Sequence, residues 1–258
     1  MAPPLRSFVV DRASVSIYAS KEDAGAAAAV EAASALRHAL STKERARIIV
    51  ATGNSQEDFI RALISSPDID WSRIEVFHMD EYVGISDSHP ASFRRWVRTR
   101  LVEIVHPGQV HYLNGDASDL TGECKRYARL LKSAPIDLCC LGFGENRHIA
   151  FNDPHAANFS DPIAVKEVTL DEACRRQQVG EGHFPGLDAV PREALTLTCP
   201  ALLSAQRLVC CVPERRKAAA VKDALTGPIT TACPASIVRT HPGAAIFLDL
   251  ESASYLSQ

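Results

Sequence analysis

The chain has 258 residues, 46% of them hydrophobic and 23% charged, with a net charge of -3. That is enough to bury a full α/β core, and it excludes collagen-like, disordered and low-complexity classes. The charge balance gives no basic footprint for nucleic acid, and no apolar run is long enough to span a membrane.

The opening residues Met1-Ala2-Pro3-Pro4-Leu5-Arg6-Ser7 lack the apolar core of a signal peptide, so a cytoplasmic protein is expected. Val15 to Ala19 reads as a short strand. Ser20 is an N-cap, with Asp23 completing an imperfect capping box before an Ala-rich helix that runs to Leu40. Arg47 to Ala51 is a strand ending at Thr52-Gly53, and Glu57 to Ser65 a helix. Ile74 to Met79 is a strand that ends in Asp80-Glu81. Ser92 to Val105 reads as a helix with Phe93, Trp96, Val97, Leu101 and Ile104 roughly on one face.

Leu120 to Leu131 is a further helix, and Ile136 to Leu141 a buried strand entering Gly142-Phe143-Gly144. Ala194 to Leu203 is apolar without a clear period. Arg207 to Val212 is a strand, Lys217 to Leu225 a helix and Ala245 to Leu248 the last strand. Val179 to Pro191, rich in Gly and Pro, reads as an irregular loop able to serve as a lid. The alternation predicts a Rossmann-like α/β fold, a doubly wound and mainly parallel sheet with helices on both faces. No repeat or linker divides it, so residues 1–258 are expected to form one domain.

The eight cysteines include the adjacent pairs Cys139-Cys140 and Cys210-Cys211 inside strand patterns, and no Cys-x-x-Cys. Neighbours on a strand point to opposite faces, so buried, reduced thiols are expected. The nine histidines form no His-x-x-x-His pair and no evident cluster with cysteine, and no metal is expected.

Ligands of doubly wound sheets bind beyond the carboxyl ends of the strands. Four such ends carry chemistry here. Thr52-Gly53-Asn54-Ser55 opens a helix and suits a phosphate cradle, although an ordinary turn and N-cap has the same composition. Lys217, in the first turn after another strand, offers a countercharge to the same phosphate. Asp80 and Glu81 are paired carboxylates that an extended chain points opposite ways, one to a cleft as general base and one to the scaffold. His148, after a Gly-rich turn, can shuttle protons with Asp153 to orient it. Neither a P-loop, a nucleophile elbow nor a dinucleotide fingerprint is present.

These residues resemble the glucosamine-6-phosphate deaminase (isomerase) family, which is related to the 6-phosphogluconolactonases. The resemblance is carried by Phe77-His78-Met79-Asp80-Glu81-Tyr82-Val83-Gly84, His89-Pro90-Ala91-Ser92-Phe93, Leu113-Asn114-Gly115 and His241-Pro242. It is carried most specifically by Gly142 to Pro154, similar to the family's Gly-x-Gly-Asn-Asp-Gly-His-Ile-Ala-Phe-Asn-Glu-Pro. The resemblance implies conversion of glucosamine 6-phosphate, or a related amino-sugar phosphate, to fructose 6-phosphate and ammonia, without a metal or organic cofactor. It gives His148 the ring-opening proton transfer and Asp80 the C2-to-C1 proton transfer. Asp153 is the carboxylate beside the histidine, and Gly53, Asn54, Ser55 and Lys217 form the phosphate site. Glu81 is assigned to substrate binding.

Four positions depart from the family pattern. Asn146 replaces an Asp two residues before the histidine, where it would deprive His148 of an anionic partner unless Glu145 or Asp153 supplies one. Arg147 replaces a Gly, and Asp153 a Glu. The family's phosphate-binding arginine has no clean match, which leaves Arg175 or Arg176. A lactonase-type hydrolase and a non-catalytic sugar-phosphate sensor are the competing readings. Self-association is not readable from the sequence.

Overall fold

Runs of aliphatic and β-branched residues buried on both faces form the centre of the molecule, as a parallel sheet requires. In the computed structural model, which describes residues 2–256, all residues of β3 (Ala46–Val50) and β7 (Leu138–Leu141) are buried. They belong to an eight-stranded sheet with β1 (Arg6–Val10), β2 (Ala13–Tyr18), β4 (Ile74–His78), β6 (Gln109–His111), β10 (Arg207–Val212) and β11 (Ala244–Asp249). Its order is β1-β2-β11-β10-β7-β3-β4-β6, parallel throughout except for the β1–β2 pair. From the β7–β3 boundary chain order runs outward through β10 and β11 on one side and through β4 and β6 on the other. That makes it a switch point, where a doubly wound sheet opens a crevice. Among the described residues no helix is long and apolar enough to cross a membrane.

Cys139 and Cys210 pack into the core on one face of this sheet, and Cys140 and Cys211 into the core on the other. All eight cysteines are buried and unbridged. Helix α1 (Lys21–Thr42) starts at Ser20, whose hydroxyl accepts from the Asp23 N–H. Its buried alanines let it lie close against the sheet and α2 (Glu57–Ile64).

The structure corrects several sequence expectations. The helix from Ser92 is regular over α3 (Phe93–Val97), becomes a π-helix over Arg98–Val102 and recovers over Glu103–Val105. The wider turn shifts the phase of the buried face, and Ile104 is left 55% exposed while Phe93, Trp96, Val97 and Leu101 are buried. Strands β1 and β6 carry no clear sequence signal, because both lie on sheet edges and β6 has only three residues.

A second, antiparallel sheet has the order β5-β9-β8, from β5 (Asp80–Tyr82), β8 (Val165–Thr169) and β9 (Glu193–Leu197). Ala194 to Leu203 is therefore the end of a strand followed by a short helix, Cys199–Leu203. The structure adds a helix from Glu172 to Gly180, which takes the first two residues of the expected loop. Asp171 caps it, accepting from the Cys174 N–H. We label the helices after α3 in chain order as α4 (Leu120–Lys132), α5 (Glu172–Gly180), α6 (Cys199–Leu203) and α7 (Ala218–Thr226). An aromatic cluster of Tyr82, Phe93, Phe151 and Phe184 joins the small sheet to α3 and the loop after α5.

Candidate active site

Four neighbouring strands, β10, β7, β3 and β4, deliver their carboxyl-terminal loops to one cavity. Its walls include Thr52, Gly53 and Ser55 after β3, Asp80 after β4, Gly142 to Gly144 and His148 after β7, and Lys217 after β10. The juxtaposition follows from sheet order, since residues far apart in the chain start from adjacent strands.

Asp80 begins β5, where the chain turns from the large sheet to pair Asp80 with Thr196. The strand alternation sends its carboxylate and that of Glu81 to opposite sides. Asp80 is 6% exposed, and its carboxylate makes no hydrogen bond within the described residues. Burial, aided by the Glu81 charge, raises its pKa well above the usual carboxylate range.

Glu81 is fully enclosed. It accepts from the Ser92 hydroxyl at 2.7 Å, the Phe93 and Arg94 N–H groups at 3.1 and 2.9 Å, and the Arg94 guanidinium at 3.2 Å. Substrate binding by Glu81 is therefore corrected. It ties β5 to the first turn of α3, where free N–H groups favour a carboxylate.

His148 closes a tight turn in which the Gly144 N–H donates to the His148 carbonyl at 2.9 Å. A Cβ at Gly144 would stand 2.2 Å from the imidazole, so the ring's position depends on that glycine. His148 Nδ1 lies 3.1 Å from Asp153 Oδ1, which supplies the anionic partner foreseen for it. The contact orients the ring, with Nε2 left without a protein partner.

Asp153 is fully buried, which opposes its charge. Even so its pKa is lowered, by His148, the Asn146 amide and the Asp171 N–H. Asn146 Nδ2 donates to both Asp153 Oδ1 and Asp171 Oδ2 at 2.8 Å, and its Oδ1 accepts from the His148 N–H at 3.2 Å. Reversing the amide would set its oxygen against two carboxylates, so the network fixes the orientation.

The fold also brings Cys174 to His148 and Asp153, a set of three buried groups whose ligand atoms all lie within 4.8 Å of one another. The absence of a His/Cys cluster in the sequence is thus corrected, because His148 and Cys174 are remote in the chain and meet only in the fold. Burial and neighbouring carboxylates push the Cys174 thiol up, so it stands protonated beside Asp153.

At the other end of the cavity Gly53 adopts φ +102°, a conformation that favours glycine, before the turn Asn54–Gln56 that leads into α2. Lys217 is 2% exposed, and its ammonium makes no hydrogen bond or ion pair among the described residues. Burial lowers its pKa, against the opposing charge of Glu181. Gln177, Gln178 and Glu181, from α5 and the residue after it, also line the cavity and were missed. The pair Gln177-Gln178 is visible in the sequence as a polar doublet, but its meaning depends on a helix that the sequence does not mark.

The profile of the glucosamine-6-phosphate isomerase/6-phosphogluconolactonase family matches residues 19–247. The chain belongs to this family. It is 32% identical over 210 residues to a glucosamine-6-phosphate deaminase of Lactobacillus delbrueckii subsp. bulgaricus, covering 80% of this chain and 86% of the relative. It is 33% identical over 223 residues to a glucosamine-6-phosphate deaminase of Bacillus thuringiensis, covering 86% and 83%. The solved structure of a monomeric glucosamine-6-phosphate deaminase superposes with a TM-score of 0.86 at 31% identity, over 93% of this chain and 98% of that one. The 6-phosphogluconolactonase of Trypanosoma brucei shares the fold, with a TM-score of 0.77 at 17% identity over 98% and 100%.

Seen against the family pattern, Arg147 keeps the tight turn by standing at φ +75°, with its guanidinium nitrogen Nε against Asp223 Oδ2 at 2.5 Å. A non-glycine residue there costs roughly 1–2 kcal/mol, and a half-exposed ion pair returns at most about 1 kcal/mol. Arg147→Gly is therefore expected to leave stability unchanged or raise it by up to about 2 kcal/mol. Urea denaturation checks this, and a loss above that size would show the Asp223 pair to be the stronger term.

Neither candidate arginine lines the cavity. Arg175 donates to the Val190 carbonyl at 3.0 Å and to that of Leu187 at 2.5 Å, holding the loop after α5. Arg176 is exposed and pairs with Glu172. Both are corrected as phosphate contacts, because the helix turns one to the loop and the other to solvent. Asn54 does not line the cavity, and its amide donates to the Glu181 carbonyl at 3.1 Å.

Proposed function

We propose that this protein is a glucosamine-6-phosphate deaminase. The observation that carries the reading is a buried carboxylate free of protein partners, Asp80, sharing a cavity with the oriented His148–Asp153 pair and the unpaired Lys217. In this reading the phosphate lies against Gly53 and Ser55 with Lys217 as its countercharge. His148 moves a proton between the anomeric hydroxyl and the ring oxygen, which opens the pyranose. Asp80 takes the C2 proton of the open-chain aldehyde and returns it to C1, through an enolamine. The resulting imine takes up water and releases ammonia, leaving fructose 6-phosphate. Asp153 holds the histidine, and Asn146 holds Asp153, so these two are positioning residues. An isolated base with a raised pKa suits a proton transfer at carbon, which lactone hydrolysis does not require.

The test is a panel of glucosamine 6-phosphate, galactosamine 6-phosphate, free glucosamine and 6-phosphogluconolactone, with ammonia, ketose and acid release measured together. Ammonia and ketose in equal amounts from glucosamine 6-phosphate are expected. Lactone hydrolysis with no ammonia from either amino sugar phosphate would replace this reading with the lactonase one.

A further inference from the structure

The anion end of the cavity carries an anion of its own. Glu181, the first residue after α5, lines the cavity with a side chain only 6% exposed. Its Oε2 lies 3.8 Å from where a Cβ on Gly53 would stand. Its Oε1 accepts from Arg216 Nη1 at 2.7 Å and from Gln177 Nε2 at 2.8 Å, and Oε2 lies 3.3 Å from His183 Nε2. Burial opposes its charge, but His183, Lys217, Arg216 and Gln177 together hold its pKa down to about 2, so it is ionised at neutral pH.

Arg216 precedes Lys217 in the chain and is engaged through Nε and Nη1. Besides Glu181 it meets Glu214 at 2.6 Å and Glu145 at 3.4 Å. Two cations, Lys217 and Arg216, therefore face three carboxylates, of which Glu181 alone lines the cavity. A phosphate dianion placed at Gly53, Ser55 and Lys217 is repelled by the Glu181 carboxylate, which is itself paired with Arg216 Nη1.

We propose that Glu181 sets the phosphate affinity of this site by competing with the incoming phosphate for Arg216. The proposal rests on the phosphate end of the site proposed above and not on the amine chemistry. Bound phosphate displaces the carboxylate from the guanidinium and replaces the Glu181–Arg216 pair with its own. Glu181 lies between Gly180 and Gly182, where a Cβ on either glycine would meet no atom within 4 Å. The consequence is a site that discriminates against weakly held anions, since each must break an existing ion pair to enter.

The experiment is titration calorimetry of inorganic phosphate with the wild type, Glu181→Gln and Glu181→Ala, each with and without Arg216→Met, beside KM and kcat for glucosamine 6-phosphate. Removing a like charge from contact with the ligand is expected to tighten phosphate binding by at least about tenfold in both Glu181 variants. The gain is expected to shrink when Arg216→Met is added, because only relief of the direct charge repulsion then remains, and KM is expected to fall with the dissociation constant. Damage to the fold weakens binding, so a gain cannot come from misfolding. Unchanged or weaker phosphate binding in both variants overturns the proposal. So does a gain undiminished by Arg216→Met, or a failure of phosphate to bind any of these proteins. A wild type that releases no ammonia while its Glu181 variants gain phosphate affinity would remove the deaminase reading and leave this one standing.

Discussion

Asp80→Asn is expected to abolish C2 proton transfer while leaving phosphosugar binding intact. A lost general base costs about 10²–10⁴-fold in rate, and the amide keeps the shape of the carboxylate without its basicity. Exchange of the C2 proton with solvent, followed by NMR, reads the step directly, and affinity is measured on the same protein. Unchanged exchange would remove Asp80 from the role.

Two pH effects accompany this. Asp80 has a folded-state pKa raised by burial and by Glu81. The acid limb of kcat/KM is therefore expected above the ordinary Asp value of about 4, because the base is protonated below its raised pKa. For stability the sign is the reverse of the usual carboxylate case. The folded protein binds the Asp80 proton more tightly than the unfolded chain does. Its contribution is then fully present below the unfolded pKa and is lost as pH rises through the folded one. Asp80→Asn should therefore melt higher than the wild type at neutral pH, with the gap closing near about pH 4. Equal melting temperatures at pH 7 would show that Asp80 carries no burial penalty. Active-site residues that lower stability in this way are a common exchange of stability for function.

Asn146→Asp restores the family residue and is nevertheless expected to damage the protein. Asn146 donates one hydrogen to Asp153 and one to Asp171. A carboxylate at this position removes two charge-assisted hydrogen bonds, worth about 1.5–3 kcal/mol each, and gathers three acidic groups in their place. Melting is expected to fall by roughly 10 °C, and ammonia release by at least about tenfold, because Asp153 loses the donor that holds it against His148. Acidification supplies a proton to the cluster, so the deficit relative to wild type should shrink as pH falls.

The double variant Asn146→Asp with Asp171→Asn returns the amide to the other side of the same contact. It should recover most of both losses, and asparagine caps a helix as well as aspartate does. A rise in ammonia release from Asn146→Asp alone at neutral pH would show instead that the amide limits the enzyme. The substitution that looked like a missing anion is a bridge between two anions, and the contact His148 needs comes from Asp153.

Apolar runs determined the strands that build the parallel sheet, and composition and capping the long helix between the first two of its parallel strands. Burial on both faces leaves β3, β7 and β10 as near-continuous apolar runs, and an Ala-rich composition behind the Ser20 cap marks α1. The Gly, Asp, His and Lys at the ends of those strands were legible for the same reason, since strand ends in such a sheet point to one edge. Tertiary structure decided the rest. The small sheet is short and polar on its exposed side, and Asp80 is a strand residue only because Thr196 pairs with it from a distant part of the chain. Whether Asp80 or Glu81 faced the cavity depended on which side α3 offered its free N–H groups. Glu181 and Gln177 entered the site because α5 packs across the strand ends, and no local pattern records that. The meaning of Asn146 lay in Asp171, 25 residues further on. A polar residue's role is set by its partners, and partners far apart in the chain meet only when the chain is folded.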